Sequence, residues 1–127
     1  MKRGINYERE LVKIFWKHGI AALRVAGSGL APYPLPDILV GFKGKVYAIE
    51  VKSTKKDCIY IDEIKVKELL EFSKIFGAEA YLALKFIRRG WFFLKPISGK
   101  ITYEDAKSNG LTLKSFIEKI LTRDEVL

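Results

Sequence analysis

The stretch Asp37-Ile38-Leu39-Val40-Gly41-Phe42-Lys43-Gly44-Lys45-Val46-Tyr47-Ala48-Ile49-Glu50-Val51-Lys52 decides the fold. Two runs rich in branched and aromatic residues, Asp37 to Phe42 and Lys45 to Lys52, flank the turn-forming pair Lys43-Gly44, so the spacing predicts a β-hairpin. Side chains alternate along a strand. Tyr47, Ile49 and Val51 therefore point to one face, and Val46, Ala48, Glu50 and Lys52 to the other. The second face begins apolar and ends in an acid and a base about 7 Å apart. A structural ion pair is one explanation for that ending, and chemistry is the other.

Outward from the hairpin, Ala21 to Ala26 reads as a preceding strand. Asn6 to His18 reads as a helix, with Leu11, Val12 and Phe15 at helical spacing and Gly19 as terminator. His18 falls in the last turn, where its ring suits exposed carbonyls. Downstream, Ile61 to Phe76 predicts a helix ended by Gly77. Strands Ala80 to Phe86 and Trp91 to Pro96 follow, joined at Arg88-Arg89-Gly90. A last helix runs from Leu113 to Leu121, after a turn at Asn109-Gly110. The order predicts one mixed α/β domain over residues 1–127, a central mixed five-stranded sheet flanked by helices. Gly27 to Pro36, with Pro32, Pro34 and Pro36, predicts neither helix nor strand and is either an ordinary surface connection or a functional loop before Asp37.

Composition narrows the function. Lys and Arg exceed Asp and Glu by 23 to 15, giving a net charge of +8, and such a field favours polyanions, nucleic acid before an anionic membrane. No apolar run approaches the ~20 residues that span a bilayer, and no signal peptide follows the first charges. Cys58 and His18 are each the only residue of their kind, which argues against an internal disulfide, a multi-cysteine zinc site or histidine-rich metal chemistry. The expectation is a cytoplasmic, nucleoid-associated protein without a membrane partner. A domain this small buries a modest share of its surface, and dimerisation would bury more.

Asp37 gives the end of the hairpin a chemical reading. It opens the strand beside Glu50 and Lys52, so two carboxylates and an ammonium converge. Hard oxygen ligands suit Mg2+, with Mn2+ as substitute. A metal of this kind activates water against a phosphodiester, while a lysine stabilises phosphate charge. Glu8 shares a helix face with Leu11, Val12 and Phe15. It reaches the site directly or through water, or else serves as a favourable acid in a first helical turn. Glu10 falls with Lys13 and Lys17 on the polar side, which favours Glu8 as the ligand.

The pattern Pro36-Asp37 with Glu50-Val51-Lys52 resembles the P-D…E-x-K signature of the restriction-endonuclease-like nucleases. Further blocks resemble the archaeal Holliday junction resolvases: Tyr7 to Leu11, Leu23 to Ser28, Ala48 to Lys55, Glu71 to Gly77 and Leu84 to Phe86. Together they cover about residues 4–96. The resemblance implies a restriction-endonuclease-like fold and metal-dependent paired cutting of four-way DNA junctions by a homodimer. It implies that Asp37, Glu50 and the backbone carbonyl of Val51 hold the metal, that Glu8 is a direct or outer ligand and that Lys52 is the catalytic lysine. It places Arg9 and Arg24 on backbone phosphate, Ser28 on a loop closing over DNA, and Phe72 and Phe76 in the dimer interface. Core packing alone would also explain the two phenylalanines, and Arg24 also reads as a plain surface residue.

Lys55, Lys56, Lys65, Lys74, Lys85, Arg88 and Arg89 would hold junction arms by phosphate contacts, or form a merely solvated surface. Two other functions remain open on the sequence. One is a different nuclease of this fold, for restriction or repair nicking. The other is a junction-binding protein without catalysis.

Overall fold

The computed structural model describes the backbone of residues 2–27 and 30–122 and the side chains of 6–27 and 30–122. Helix α1 (Lys2–Lys17) precedes strands β1 (Ala21–Arg24), β2 (Ile38–Phe42) and β3 (Lys45–Thr54). A short strand β4 (Cys58–Ile61) leads into α2 (Glu63–Phe76), followed by β5 (Glu79–Phe86) and β6 (Gly90–Leu94). Then come β7 (Gly99–Thr102), α3 (Tyr103–Asn109), β8 (Leu111–Thr112) and α4 (Leu113–Thr122).

The central sheet has six strands in the order β1-β2-β3-β5-β6-β8, and β4 pairs with β7 in a separate ribbon. Among the described residues, only β3 and β5 run parallel in the central sheet. All five expected strands lie in it, and the two-residue β8 adds a sixth at the edge. The alternation read from β3 holds. Tyr47, Ile49 and Val51 enter a core with Leu11 and Phe15 of α1 and Phe116, Ile117 and Ile120 of α4. Ala48 enters the opposite core, with Val66 and Leu69 of α2, Leu82 and Leu84 of β5, and Ala106 of α3. The sheet is thus covered on both faces. Phe93 and Phe116 stack at 4.1 Å and 4°, and burying each such ring is worth roughly 1.5–3 kcal/mol.

The capping residues explain several boundaries. Gly77 closes α2 at φ 82°, where a side chain would be strained, and its N–H donates to the Ser73 carbonyl. His18 Nδ1 lies 3.0 Å from the Ile14 carbonyl, the last-turn role expected of it. Helix α2 begins at Glu63 rather than Ile61 because the Asp62 carboxylate accepts from the N–H of Ile64. Ile61 instead ends β4, buried with Ile59 while Tyr60 faces solvent. A reciprocal capping box between Thr102 and Asp105 nucleates α3. Gly110 follows α3 for a steric reason: a Cβ there would sit 2.7 Å from the Ala106 carbonyl oxygen and 2.9 Å from Leu94 Cδ1.

Candidate active site

The β2–β3 ladder ends at the pair Ile38–Ile49. Beyond it β3 continues against β5 through Glu50, Val51 and Lys52. Asp37 spans the point where the ladder stops. Its N–H donates to the Ile49 carbonyl (3.1 Å), and its carbonyl accepts from the N–H of Val25 (2.8 Å). Its Oδ2 accepts from the N–H of Val51 (2.9 Å). Asp37 is therefore tied to β3 on either side of Glu50, by its backbone N–H at Ile49 and by its carboxylate at Val51, beside the strand end where the hairpin predicts it. Polar backbone groups of alternate strand residues point the same way. The Ile49 carbonyl and the Val51 N–H both face Asp37, so the Val51 carbonyl is directed to that side as well.

Glu50 is half-buried and Lys52 exposed, on the face that Ala48 shares with α2. Glu50 is pushed up to about 8, first by burial and then by the negative charge of Asp37. Lys65 of α2 and Lys52 pull in the opposite direction without overcoming those two effects. Lys65 is thus a site-facing cation. The sequence placed it only among general basic residues, because its position over β3 depends on how α2 docks.

Glu8 comes from α1, on the other side of the sheet. It is raised from the ordinary carboxylate range by burial and by Asp37, and Arg24 and Arg9 oppose that rise. Its Oε1 lies 3.6 Å from the Arg24 guanidinium. Asp37 therefore acts on both glutamates from between them. Among the described residues, no three acids, histidines or cysteines lie close enough together to cage a metal by themselves. Glu8 has Arg24 as its partner, and the tight acidic pair is Asp37 with Glu50.

The remaining expected residues divide. Arg9, Lys55 and Lys56 are exposed. Lys85 turns toward α1, 3.4 Å from Glu10 and beside the rings of Tyr7 and Trp91, so it is engaged inside the fold. Glu10 corrects the sequence reading: it does not join Lys13 and Lys17 but accepts from Lys85 and from Trp91 Nε1 at 3.1 Å. Ser28 lies outside the described residues. Residues 31–36 of its loop join no helix or strand. Phe72 and Phe76 stack at 4.9 Å and 20°. Phe72 packs on the α2-side core, whereas Phe76 is 51 % exposed. Phe76 borders an apolar groove of about 360 Å³ lined also by Trp16, Leu23, Leu39 and Val46.

The sequence and the overall fold are similar to those of known proteins. The sequence pattern of the archaeal Holliday junction resolvase (hjc) family matches residues 1–124. Crossover junction endodeoxyribonuclease Hjc of Archaeoglobus fulgidus is 49 % identical over 92 residues, 72 % of this chain and 67 % of that protein. Crossover junction endodeoxyribonuclease Hje of Saccharolobus islandicus is 35 % identical over 131 residues, covering 94 % of this chain and 96 % of its own. The solved structure of the Archaeoglobus fulgidus Hjc, a Holliday junction resolvase, superposes with a TM-score of 0.79 at 39 % identity, over 89 % of this chain and 96 % of that one. The chain belongs to the archaeal Holliday junction resolvase family.

Proposed function

We infer that this chain is a crossover junction endodeoxyribonuclease that resolves four-way DNA junctions by paired, metal-dependent phosphodiester hydrolysis. The observation that carries the reading is the clamp of Asp37 across Glu50, with Lys52 two residues further along the same strand face. A half-buried glutamate raised by a neighbouring aspartate is a site that a cation would relieve. The donor set consists of hard oxygens, which fits Mg2+ or Mn2+. Asp37, Glu50 and the Val51 carbonyl would hold the ion, with Glu8 reaching it through water. The ion supplies Lewis acidity and charge neutralisation at a phosphodiester.

The chain's own groups do the rest. Lys52 is exposed beside the acids, where its ammonium orients an incoming water and offsets charge gathering on phosphate. Arg24, fixed by Glu8, and the exposed Arg9 meet backbone phosphate near the site. Lys85, paired with Glu10 as Arg24 is with Glu8, is proposed for the same role. The net charge of +8 draws the polyanion in without reading bases. No helix among the described residues is long and apolar enough to cross a membrane. The proposed action on DNA makes the nucleoid the proposed workplace.

Two copies related by a twofold axis would set two sites symmetrically on a junction. The apolar groove beside the exposed Phe76 is the surface we assign to that contact. Sedimentation of Phe76→Asp should show monomer where the parent shows dimer.

The deciding experiment compares a labelled four-way junction with a linear duplex of the same sequence, in Mg2+ and in EDTA. Symmetric paired nicks in the junction alone, lost in EDTA, are expected. Equal cutting of both substrates would leave a nuclease without junction selectivity. Tight junction binding with no cutting in Mg2+ or Mn2+ would leave a binding protein.

A further inference from the structure

The parallel pairing of β3 with β5 places their carboxyl ends at one edge of the molecule, and ligand sites of open α/β sheets gather outside such ends. Two turns meet there. The β3–β4 turn contains Lys55, Lys56 and Asp57, and the β5–β6 turn contains Arg88 and Arg89. They are tied together by backbone. The Thr54 carbonyl accepts from Ile87 N–H (2.9 Å), while the Asp57 carbonyl is tied to the start of α3, accepting from Tyr103 N–H (2.7 Å). Thr54 Oγ1 accepts from Lys56 N–H (3.0 Å).

Arg89 is held twice. Its guanidinium lies 2.7 Å from the Asp57 carboxylate and 3.8 Å above the centre of the Tyr103 ring. Tyr103 is itself fixed by edge contacts with Phe86 and Phe92 of the α2-side core. The Arg89 side chain nonetheless remains 43 % exposed. Lys55, Lys56 and Arg88 are exposed around it, and Asp57 is the only acid in the two turns. A flexible arginine loses rotamer freedom on meeting an anion, and one already held by an aspartate and an aromatic face loses less. Arg88 adopts φ 70°, a conformation unusual for a residue with a side chain.

We propose that these two turns form a second backbone-phosphate site, in which Arg88, Lys55 and Lys56 grip a junction arm beyond the cutting point and the Asp57–Arg89–Tyr103 stack holds the turns in place. Along β3 the site begins about 16 Å past Glu50, at about 3.3 Å per residue. At about 3.4 Å of rise per nucleotide, that is a few nucleotides away on the same strand. Arg89 and Asp57 are positioning residues here. The inference rests on the junction-nuclease reading.

The test is binding of a fluorescent four-way junction to the full chain in EDTA, followed by anisotropy across a salt series. Each lost phosphate contact flattens the log–log salt slope by about 0.9. Combined Lys55→Ala, Lys56→Ala and Arg88→Ala should flatten it by two to three contacts' worth, with at least tenfold weaker binding at the lower end of the series. A control with the same charge loss elsewhere, Lys13→Ala, Lys17→Ala and Lys114→Ala, should lose less than one contact's worth. Equal losses in the two triple variants, or none in the first, would overturn the proposal. Asp57→Ala separates positioning from bulk charge. Removing an acid makes the protein more positive, so charge alone predicts tighter binding, whereas loss of the Arg89 anchor predicts binding two- to fivefold weaker. Unchanged or tighter binding by Asp57→Ala would remove the positioning role. A parent protein that neither binds nor cuts the junction would sink the function reading and this inference together, an outcome visible before any variant is made.

Discussion

Glu50 and Glu79 sit on adjacent parallel strands, and their surroundings are opposite. Glu79 begins β5 beside Tyr47, at the end remote from the candidate site. Its carboxylate meets Lys95 at 3.1 Å and Lys119 at 4.0 Å, and Tyr81 donates to it at 3.4 Å. Glu50 lies three residues along the neighbouring strand, half-buried beside a second acid, and is raised to about 8. One glutamate is matched with cations, as a structural carboxylate is. The other is crowded, and the charges of Lys65 and Lys52 oppose its rise without overcoming it. Crowding of this kind is unfavourable to the bare fold and characteristic of sites shaped for a ligand or a reaction.

The widest separation between the two should appear in cleavage. Glu50→Gln and Asp37→Asn are expected to reduce junction cutting by at least about a thousandfold, the scale of removing groups that stabilise charge in a transition state. Junction binding in EDTA should persist at near parental strength in both. Single-turnover assays at saturating protein would show this, and a parental rate in either variant would remove the proposed site.

The next difference is thermodynamic and depends on pH. Glu50 in the metal-free fold titrates near 8, against about 4.5 ordinarily. Below the ordinary value the side chain is protonated whether folded or unfolded, and it costs nothing. Between the two values the unfolded chain releases the proton while the folded chain keeps it, so stability falls as pH rises and levels off above 8. Glu50→Gln removes that slope. Its melting temperature in EDTA should match the parent at pH 4 and exceed it at pH 8 by about 4 °C or more, since ~1 kcal/mol moves a domain of this size by roughly 2–8 °C. Mg2+ binding, read by calorimetry, should strengthen from pH 6.5 to 8.5 with release of a proton. A parent and variant that melt in parallel at every pH would mean that Glu50 is not crowded in solution.

Much of this contrast was legible in the sequence, but unevenly. The hairpin and its alternation placed Glu50 and Lys52 on one face, and Pro36-Asp37 placed the second acid at the start of β2, because both signals are local. The strands β4 and β7 and the helix α3 escaped. Cys58 to Ile61 is too short to separate from the helix it precedes, although Asp62 as a cap marks the boundary. Thr102 and Asp105 spell a capping box that the reading passed over. What local pattern cannot carry is which elements dock. Glu10 looked like a solvent acid because its partners, Lys85 and Trp91, lie more than seventy residues away. Lys65 acts on Glu50 only because α2 lies over β3, and Glu79 is matched only because β6 and α4 bring Lys95 and Lys119 to it.

The smallest effect belongs to Glu79 and completes the comparison. Glu79→Gln keeps the shape and removes the charge, so Lys95 and Lys119 lose a counter-ion and Tyr81 keeps an acceptor. Lys95 is mostly exposed, at 68 %, so solvent screens its share, and partly exposed pairs of this kind contribute about 0–1 kcal/mol. A loss of at most about 1 kcal/mol at pH 7 is expected in urea unfolding, with junction cutting within twofold of the parent. The sign is opposite to that expected at Glu50, where the same chemical change stabilises the metal-free fold and ends the reaction. If Glu79→Gln instead raised stability or abolished cutting, position within the sheet would not be what distinguishes the two carboxylates. The crowding at Glu50 would then be an ordinary property of acids on this sheet and no longer a mark of its site.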